Sequence, residues 1–147
     1  MGVTEKLDHS NGFFRICVDS VEQGWVSGRI FSRRLTEPMV FSDLGSLLLQ
    51  VEELLEKQDF PQAFQQMRTF TGTAPAEKEL FLPEGAMDAG TVASAWGKRA
   101  TFVLYIITRR NASWQGKVDW LDGGEPDAFT SDLEFLKLAE NHLTGLR

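Results

Sequence analysis

The sequence predicts an α+β domain made of two fused strand-strand-strand-helix repeats, with one antiparallel sheet and the helices packed on one face. The first observation is that the segment EPMVFSDL, at residues 37–44, occurs again as EPDAFTSDL at residues 125–133, with one residue inserted before the serine. The second is that each copy follows two strand-like runs and opens a leucine-rich helix. Because one such unit buries too little surface alone, two are expected to join sheets or pack helices around a pseudo-twofold axis.

Length and composition favour one globular domain over residues 1–147. A hydrophobic fraction of 42% with 24% charged residues is ordinary for a domain with a sizeable core. No apolar run approaches the ~20 residues that cross a bilayer, and the start lacks signal-peptide features, so no membrane contact is expected. The single cysteine, Cys17, excludes an internal disulfide and favours a cytoplasmic location. A net charge of −6 disfavours general nucleic-acid binding, since phosphates would be repelled.

The first repeat is predicted to span about residues 13–57. Alternating apolar residues indicate two strands, and Gly28 inside the second indicates a bulge or a close approach of another backbone. Pro38 restricts the following segment to an edge strand or a lead-in. The predicted elements are strands at 13–18, 25–31 and 39–41, and a helix capped by Ser42 or Asp43 with its leucines on one face.

The connection between the repeats, residues 58–100, is predicted to contain a short helix and a long loop. Asp59 is suited to cap that helix and Pro61 to its first turn, where a missing amide costs nothing. Residues 71–100 carry scattered prolines and glycines, and a loop of this length inside a compact domain is often functional. Residues 1–12 are predicted to be a loose polar lead-in.

The second repeat is predicted over about residues 101–144. Its first strand, 101–108, is almost wholly apolar and is therefore expected to be central. A hairpin partner at 114–121 and a helix at 131–143 follow, with Ser131 and Glu134 spaced as a capping box. An offset of 88 residues aligns the strands of the two repeats, and an offset of 89 after the insertion aligns their helices. This alignment makes Leu47 equivalent to Leu136.

One segment of the second repeat resembles a known sequence pattern. Residues 109–116 contain Arg-x-Asn-Ala-Ser-Trp-Gln-Gly, and Phe-x-Ser-x-x-Glu follows at residues 129–134. Together they resemble a pattern in small uncharacterised bacterial proteins, over about residues 102–143. The resemblance implies a single-domain bacterial protein and brings no activity with it.

A second resemblance suggests nucleotide binding as an alternative function. Asn111-x-Ser113-x-x-Gly116, with Arg29-x-x-x-Arg33, is similar to the two motifs by which PilZ domains bind cyclic di-GMP. The resemblance implies that these arginines hold phosphate and guanine and that the asparagine and serine lie beside the base. The motifs are much further apart here than in that family, and Asn and Ser also form hairpin turns through side-chain to backbone bonds. Tryptophans in the hairpins extend the alternative to RNA, whose bases stack on aromatic rings.

Catalysis is the third class considered, and the sequence gives it little support. No P-loop, Rossmann glycine fingerprint, Gly-x-Ser-x-Gly or His-Glu-x-x-His motif is present. His9 and His142 have no metal-ligand spacing to Cys17. We therefore expect no catalytic residue, metal or cofactor, and an enzyme of unknown type is the least favoured function.

The favoured function is a non-catalytic bacterial protein that acts through protein contacts, as an adaptor, regulator or immunity-type inhibitor. Its binding surface is expected where the loop 71–100 meets the hairpin 109–116. Aromatic and arginine side chains are enriched at interface hot spots, and a locally basic surface would suit an acidic partner. The expected partner-binding residues are Trp96, Lys98, Arg99, Arg109, Arg110 and Trp114.

Overall fold

A computed structural model describes residues 5–64 and 80–144 of the chain. These residues form an α+β fold with one main antiparallel sheet, so the predicted class is confirmed. The strands are β1 (Phe14–Glu22), β2 (Trp25–Phe31), β3 (Met39–Phe41), β4 (Ala63–Phe64), β5 (Ala100–Arg110), β6 (Gln115–Asp119) and β7 (Asp127–Phe129). The helices are α1 (Leu44–Gln58), α2 (Ala89–Ala93) and α3 (Asp132–Thr144).

The sheet has the strand order β3-β2-β1-β5-β6-β7, with every neighbouring pair antiparallel. β5 is central, as its apolar composition predicts, and β4 adds a short parallel pairing to its last two residues. The three-residue strands β3 and β7 form the two edges, which agrees with the edge position predicted after Pro38. Short edges limit unwanted pairing with other chains.

The two halves of the sheet have the same strand registers at an offset of 88 residues. The hairpin β1–β2 and the hairpin β5–β6 also have a register shift at the same place. It lies between Val18 and Ser20 in the first hairpin and between Ile106 and Thr108 in the second. The corresponding pairs are Val18–Gly28 and Ile106–Gly116 in the first hairpins, and Gly28–Phe41 and Gly116–Phe129 at the outer strands.

The glycines at these positions are required by a close approach of the neighbouring strand. A Cβ atom on Gly28 would fall on the carbonyl oxygen of Cys17, and one on Gly116 would fall on that of Tyr105. Any side chain would therefore push the paired strands apart. The close approach predicted at Gly28 is confirmed. Gly116 is required in the second half for the same reason.

In the helices, the capping residues and the fully buried residues also coincide at an offset of 88 rather than at the predicted 89. Asp43 caps α1 by accepting from the Ser46 amide at 2.7 Å, and Ser131 accepts from the Glu134 amide at 3.0 Å. Aspartate and serine both serve as N-caps, so the caps correspond although the residue types differ. The fully buried residues also correspond: Leu47, Val51 and Leu55 in α1, and Phe135, Ala139 and Leu143 in α3.

The predicted equivalence of Leu47 and Leu136 is therefore wrong. Leu47 and Phe135, which are 88 residues apart, are both fully buried, whereas Leu136 is only partly buried. The tripeptide Ser-Asp-Leu occurs at residues 42–44 and 131–133, and aligning these identical residues gives an offset of 89. The capping residues and the buried residues of the two helices coincide instead at 88.

Both long helices cover one face of the sheet. The Phe135 ring of α3 lies 6.3 Å from Phe102 and 6.2 Å from Trp114, and the Trp114 indole donates to Glu52 of α1. The segment before β5 lies on the opposite face, where the carbonyl oxygen of Ala95 accepts from Arg15 at 2.7 Å. The opposite face is thus covered beside β1, whereas Lys117 and Ala128 of the second half are exposed.

The connection after α1 differs from its prediction. Asp59 is the left-handed C-cap of α1, with φ 52°, and Ala63–Phe64 form β4. The predicted helix beginning at Asp59 is therefore wrong over these residues, since aspartate tolerates the left-handed region that ends helices. Met67, also assigned to that helix, lies outside the described residues.

The residues at the start of the chain are paired rather than loose from Glu5 onward. Leu7 donates to the Leu80 carbonyl at 2.8 Å, and Leu82 donates to the Glu5 carbonyl at 2.9 Å. The described part of the predicted loop, residues 80–99, also contains α2, whose N-cap Asp88 accepts from the Thr91 amide at 2.7 Å.

Candidate binding cavity

An open cavity of about 330 Å³ lies beside the start of β5. We call it the aromatic cavity, because two tryptophans, a phenylalanine and a histidine contribute to its lining. Its volume is at the lower end of the ~300–1,000 Å³ that ligand pockets occupy. The lining residues are Trp96, Gly97, Arg99, Ala100, Thr101, Phe102, Trp120, Leu121, Asp122 and His142.

One wall of the aromatic cavity is a fixed stack of rings. The His142 ring stacks on Trp120 with centroids 4.0 Å apart and planes within 9°. On its sheet side, Trp120 meets Phe102 at 5.1 Å. The Trp120 indole N–H donates to Asp127 at 2.7 Å, which fixes the ring's orientation. Because Trp120 is buried, the ring of this stack that reaches the cavity is chiefly the half-buried His142.

Trp96 is exposed yet held in place. Its side chain is 61% exposed, and the Arg15 guanidinium lies 4.6 Å from the ring centroid, within cation–π range. Arg15 itself is buried and donates through Nε to the Ala95 carbonyl. The Trp96 carbonyl accepts from Arg29 at 3.0 Å. One arginine of the sheet therefore contacts the exposed indole, and a second holds the backbone of the same residue.

The segment that carries Trp96 is fastened to β1 through Asp19. The Asp19 carboxylate accepts two hydrogen bonds from Arg29, at 2.8 and 3.1 Å, and one from the Lys98 amide at 3.2 Å. The hydrogen bond from Arg29, together with the amide of Lys98, holds the pKa of Asp19 below its ordinary value against the opposing effect of burial. Gly97 donates to the Thr101 hydroxyl at 2.8 Å.

The charged groups of the aromatic cavity have both signs. Arg99 and Asp122 line it, and the Asp122 carboxylate accepts from the Gly124 amide at 2.9 Å. Within residues 5–64 and 80–144, no three His, Cys, Asp or Glu side chains are grouped as metal ligands.

The single cysteine lies outside the aromatic cavity. Burial raises the pKa of the Cys17 thiol, which is enclosed in the sheet and is therefore a poor nucleophile.

The structure does not bring the six predicted partner-binding residues together. Trp96, Lys98 and Arg99 precede β5, whereas Arg109 and Arg110 end it, and the length of the strand separates the two groups by roughly 30 Å. The six residues therefore do not form the expected continuous surface, because they lie towards opposite ends of β5.

Two of those predicted residues are buried in structural contacts. Arg109 donates to the Pro61 carbonyl at 2.7 Å and forms an ion pair with Glu56 at 3.0 Å. Trp114 is 1% exposed and donates to Glu52. Both side chains join the second hairpin to the region around α1, so a partner cannot reach them without local unfolding.

The four predicted nucleotide-binding residues are also separate. Arg29 is paired with Asp19, and Arg33 forms two hydrogen bonds with Glu5, at 2.9 and 3.0 Å. Asn111 lies in the turn after the far end of β5.

Asn111 has φ 57° there, and Ser113 exchanges hydrogen bonds with Asp132 at 2.9 and 3.1 Å. Asn111 thus lies in the predicted hairpin turn, whereas the Ser113 side chain bonds to the start of α3 and not to the turn.

Residue type identifies Trp96 and Arg99 as binding candidates but gives no signal for Leu121, Asp122 or His142 as lining residues. Trp120 is a candidate from the sequence only as a hairpin tryptophan of the nucleotide or RNA alternative. His142 stacks on it only because α3 docks across β6, and no local pattern indicates that contact.

Comparison of the chain with protein-family models, curated proteins and solved structures gave no match. Among the described residues, no helix combines the length and apolar character needed to cross a membrane. The fold and the site thus define an α+β protein with an aromatic-lined cavity at one end of its sheet.

Proposed function

We propose that this chain is a non-catalytic binding module that acts through protein contacts, and that its contact site is the aromatic cavity. The observation that carries the proposal is an exposed tryptophan held rigidly beside an open cavity. As predicted from the sequence, such a protein would act as a cytoplasmic bacterial adaptor, regulator or immunity-type inhibitor.

The rim of the aromatic cavity has the composition of an interface hot spot. Trp96 is 61% exposed and Leu121 is 37% exposed. Tryptophan is enriched among residues that dominate binding energy, most strongly where it surrounds or fills a pocket. Because Arg15 and Arg29 already fix the position of Trp96, a partner would lose little free energy in ordering it.

We further propose that the chain consists of two copies of one strand-strand-strand-helix unit. The equal registers, equal cap positions and equal buried helix positions at an offset of 88 support this organisation. The copies differ at the ends of their sheets, and the aromatic cavity belongs to the second. Divergence at that one place is what a binding site added to a repeated scaffold would produce.

Nucleotide or RNA binding is less well supported. The arginines that it requires, Arg29 and Arg33, are each bonded to a carboxylate of the chain, and those bonds would have to break. The net charge of −6 adds a repulsive field for phosphates.

Site-specific photo-crosslinking in the native cell tests the proposed site. A crosslinking residue at Leu121, on the cavity rim, is expected to capture a discrete protein. The matched control is Leu49 on α1, which is 72% exposed and outside the cavity lining. The same capture from both positions would contradict the proposed site.

A pair of tryptophan variants then measures the contribution of the rim to binding of the purified partner. Trp96→Ala is expected to weaken binding at least tenfold, as hot-spot truncations commonly do by ~1–2 kcal/mol or more. Trp25→Ala is the control, because Trp25 is 63% exposed and does not line the cavity. Both variants should melt close to the unmodified protein. Normal binding by Trp96→Ala would contradict the proposed function.

A further inference from the structure

We propose that the aromatic cavity receives an aromatic side chain of the protein partner; this inference rests on the proposed function. The reasoning comes from the first half of the chain, where the equivalent place is occupied by the chain's own Phe60.

In the first half, Phe60 lies between two side chains. Its ring is 4.9 Å from the ring of His9, and the Arg34 guanidinium lies 5.2 Å from its centroid. Arg34 is buried, lies 5.0 Å from the centroid of Phe14, and donates to the carbonyls of Gly12 and Phe60, both at 2.7 Å. An aromatic ring thus fills the space at this end of the first hairpin.

The residues that enclose Phe60 have counterparts on the lining of the aromatic cavity. At the offset of 88, His9 corresponds to Gly97 and Arg34 corresponds to Asp122, and both counterparts line the cavity. A smaller side chain stands at each of these two positions, whereas Ser32 corresponds to the larger Trp120, which packs on Phe102, the counterpart of Phe14, and forms one wall of the cavity. The cavity therefore lies where an aromatic ring is accommodated by the same scaffold.

The chemistry of the lining agrees with a ring as the occupant. Trp96 is exposed and His142 is half-buried, with Trp120 and Phe102 packed behind the His142 ring, and aromatic rings prefer tilted or offset contacts with one another. Arg99 and Asp122 carry opposite charges, so the charge of the lining favours neither a positive nor a negative occupant. Aromatic contact is the main interaction that the cavity can offer.

Nuclear magnetic resonance titration with three small probes tests the occupant. The probes are the N-acetyl amides of phenylalanine, leucine and arginine, and the signals followed are the Trp96 and Trp120 indole N–H groups and the Gly97 amide. We expect saturable shifts with the phenylalanine probe at millimolar concentration, and affinity about fivefold weaker for the leucine probe, as a missing aromatic pair implies. Trp96→Ala should lower the affinity for the phenylalanine probe, and Trp25→Ala should leave that affinity unchanged.

Four results would overturn the inference: no saturable shift with the phenylalanine probe, equal affinity for leucine, preference for arginine, or shifts confined to residues outside the cavity. These results are separable from failure of the proposed function. If Trp96→Ala weakens binding of the partner while the phenylalanine probe does not bind, the proposed protein-binding site stands. The proposal that an aromatic side chain occupies it is then wrong. If Trp96→Ala leaves the partner unaffected, the proposed function itself fails.

Discussion

The indole Nε1 of Trp114 donates a hydrogen bond to the carboxylate of Glu52, and this bond joins the second hairpin to the first helix. Glu56, one helical turn further on, binds Arg109 of the same hairpin at 3.0 Å. The helix that completes the first half thus holds the hairpin of the second half. The two halves are expected to unfold together as one cooperative unit.

Removing the indole donor should destabilise the whole domain. Trp114→Phe leaves the ring largely in place but deprives Glu52 of its donor, and an unsatisfied group of this kind costs ~1–3 kcal/mol of unfolding free energy. Chemical denaturation measures the loss.

The control for this bond is Glu53→Ala, an exposed neighbour on the same helix, which should cost under ~0.5 kcal/mol. Combining Trp114→Phe with Glu52→Ala should give a coupling energy of ~0.5–3 kcal/mol. Fully additive effects of the two changes would show that the bond contributes nothing.

The helix alignment gives a second prediction for stability. Leu47→Ala and Phe135→Ala remove side chains with no exposed surface, and each should cost ~2–5 kcal/mol through lost burial and a new cavity. Leu136→Ala should cost clearly less, since Leu136 is only partly buried. Denaturation midpoints of the three variants are the measurement. A larger loss at Leu136 than at Phe135 would restore the offset of 89.

Much of the fold could be predicted because it depends on local patterns. The alternation along β1 and β2, the apolar run of β5 and the leucines of α1 each specify an element and its buried face. The offset in the helices was mispredicted by one residue, since Asp43 and Ser131 perform the same capping with different side chains.

The site could be predicted only in part, because it depends on which distant residues the sheet brings together. Trp96 and Arg99 were identified from residue type, and both line the aromatic cavity. Arg109 and Trp114 have the same residue types, but they bond to acidic residues of α1 and are buried. Residue type alone does not distinguish an exposed tryptophan such as Trp96 from one such as Trp114, which is buried and bonded within the chain.

Cyclic di-GMP is expected not to bind. Arg29 and Arg33 are each held by a carboxylate, and Asn111 lies beyond the far end of β5, so the four residues cannot enclose one nucleotide. Isothermal calorimetry at micromolar protein should show no heat of binding. Micromolar affinity that disappears in Arg29→Ala or Asn111→Ala would instead favour the nucleotide-messenger function over protein contact.

The last prediction concerns acid stability and the segment that carries Trp96. The pKa of Asp19 is lowered in the folded protein, chiefly by its hydrogen bond from Arg29. A lowered carboxyl pKa stabilises the fold above the unfolded value, roughly 3.9, and this contribution is lost as the pH falls through the lower folded value. Asp19→Asn removes the titration but retains an acceptor for the Lys98 amide.

The melting temperature of Asp19→Asn should therefore lie below that of the unmodified protein by a constant amount above pH ~5, and the gap should narrow below pH ~4. The Gly97 amide signal should shift in the variant, because Asp19 fastens the segment that carries this residue. Glu53→Gln, which removes an exposed carboxylate of α1, should change neither quantity. A gap that stays constant down to pH ~2 would mean that the ion pair with Arg29 contributes no stability, and that Asp19 acts only as a hydrogen-bond acceptor for the cavity segment.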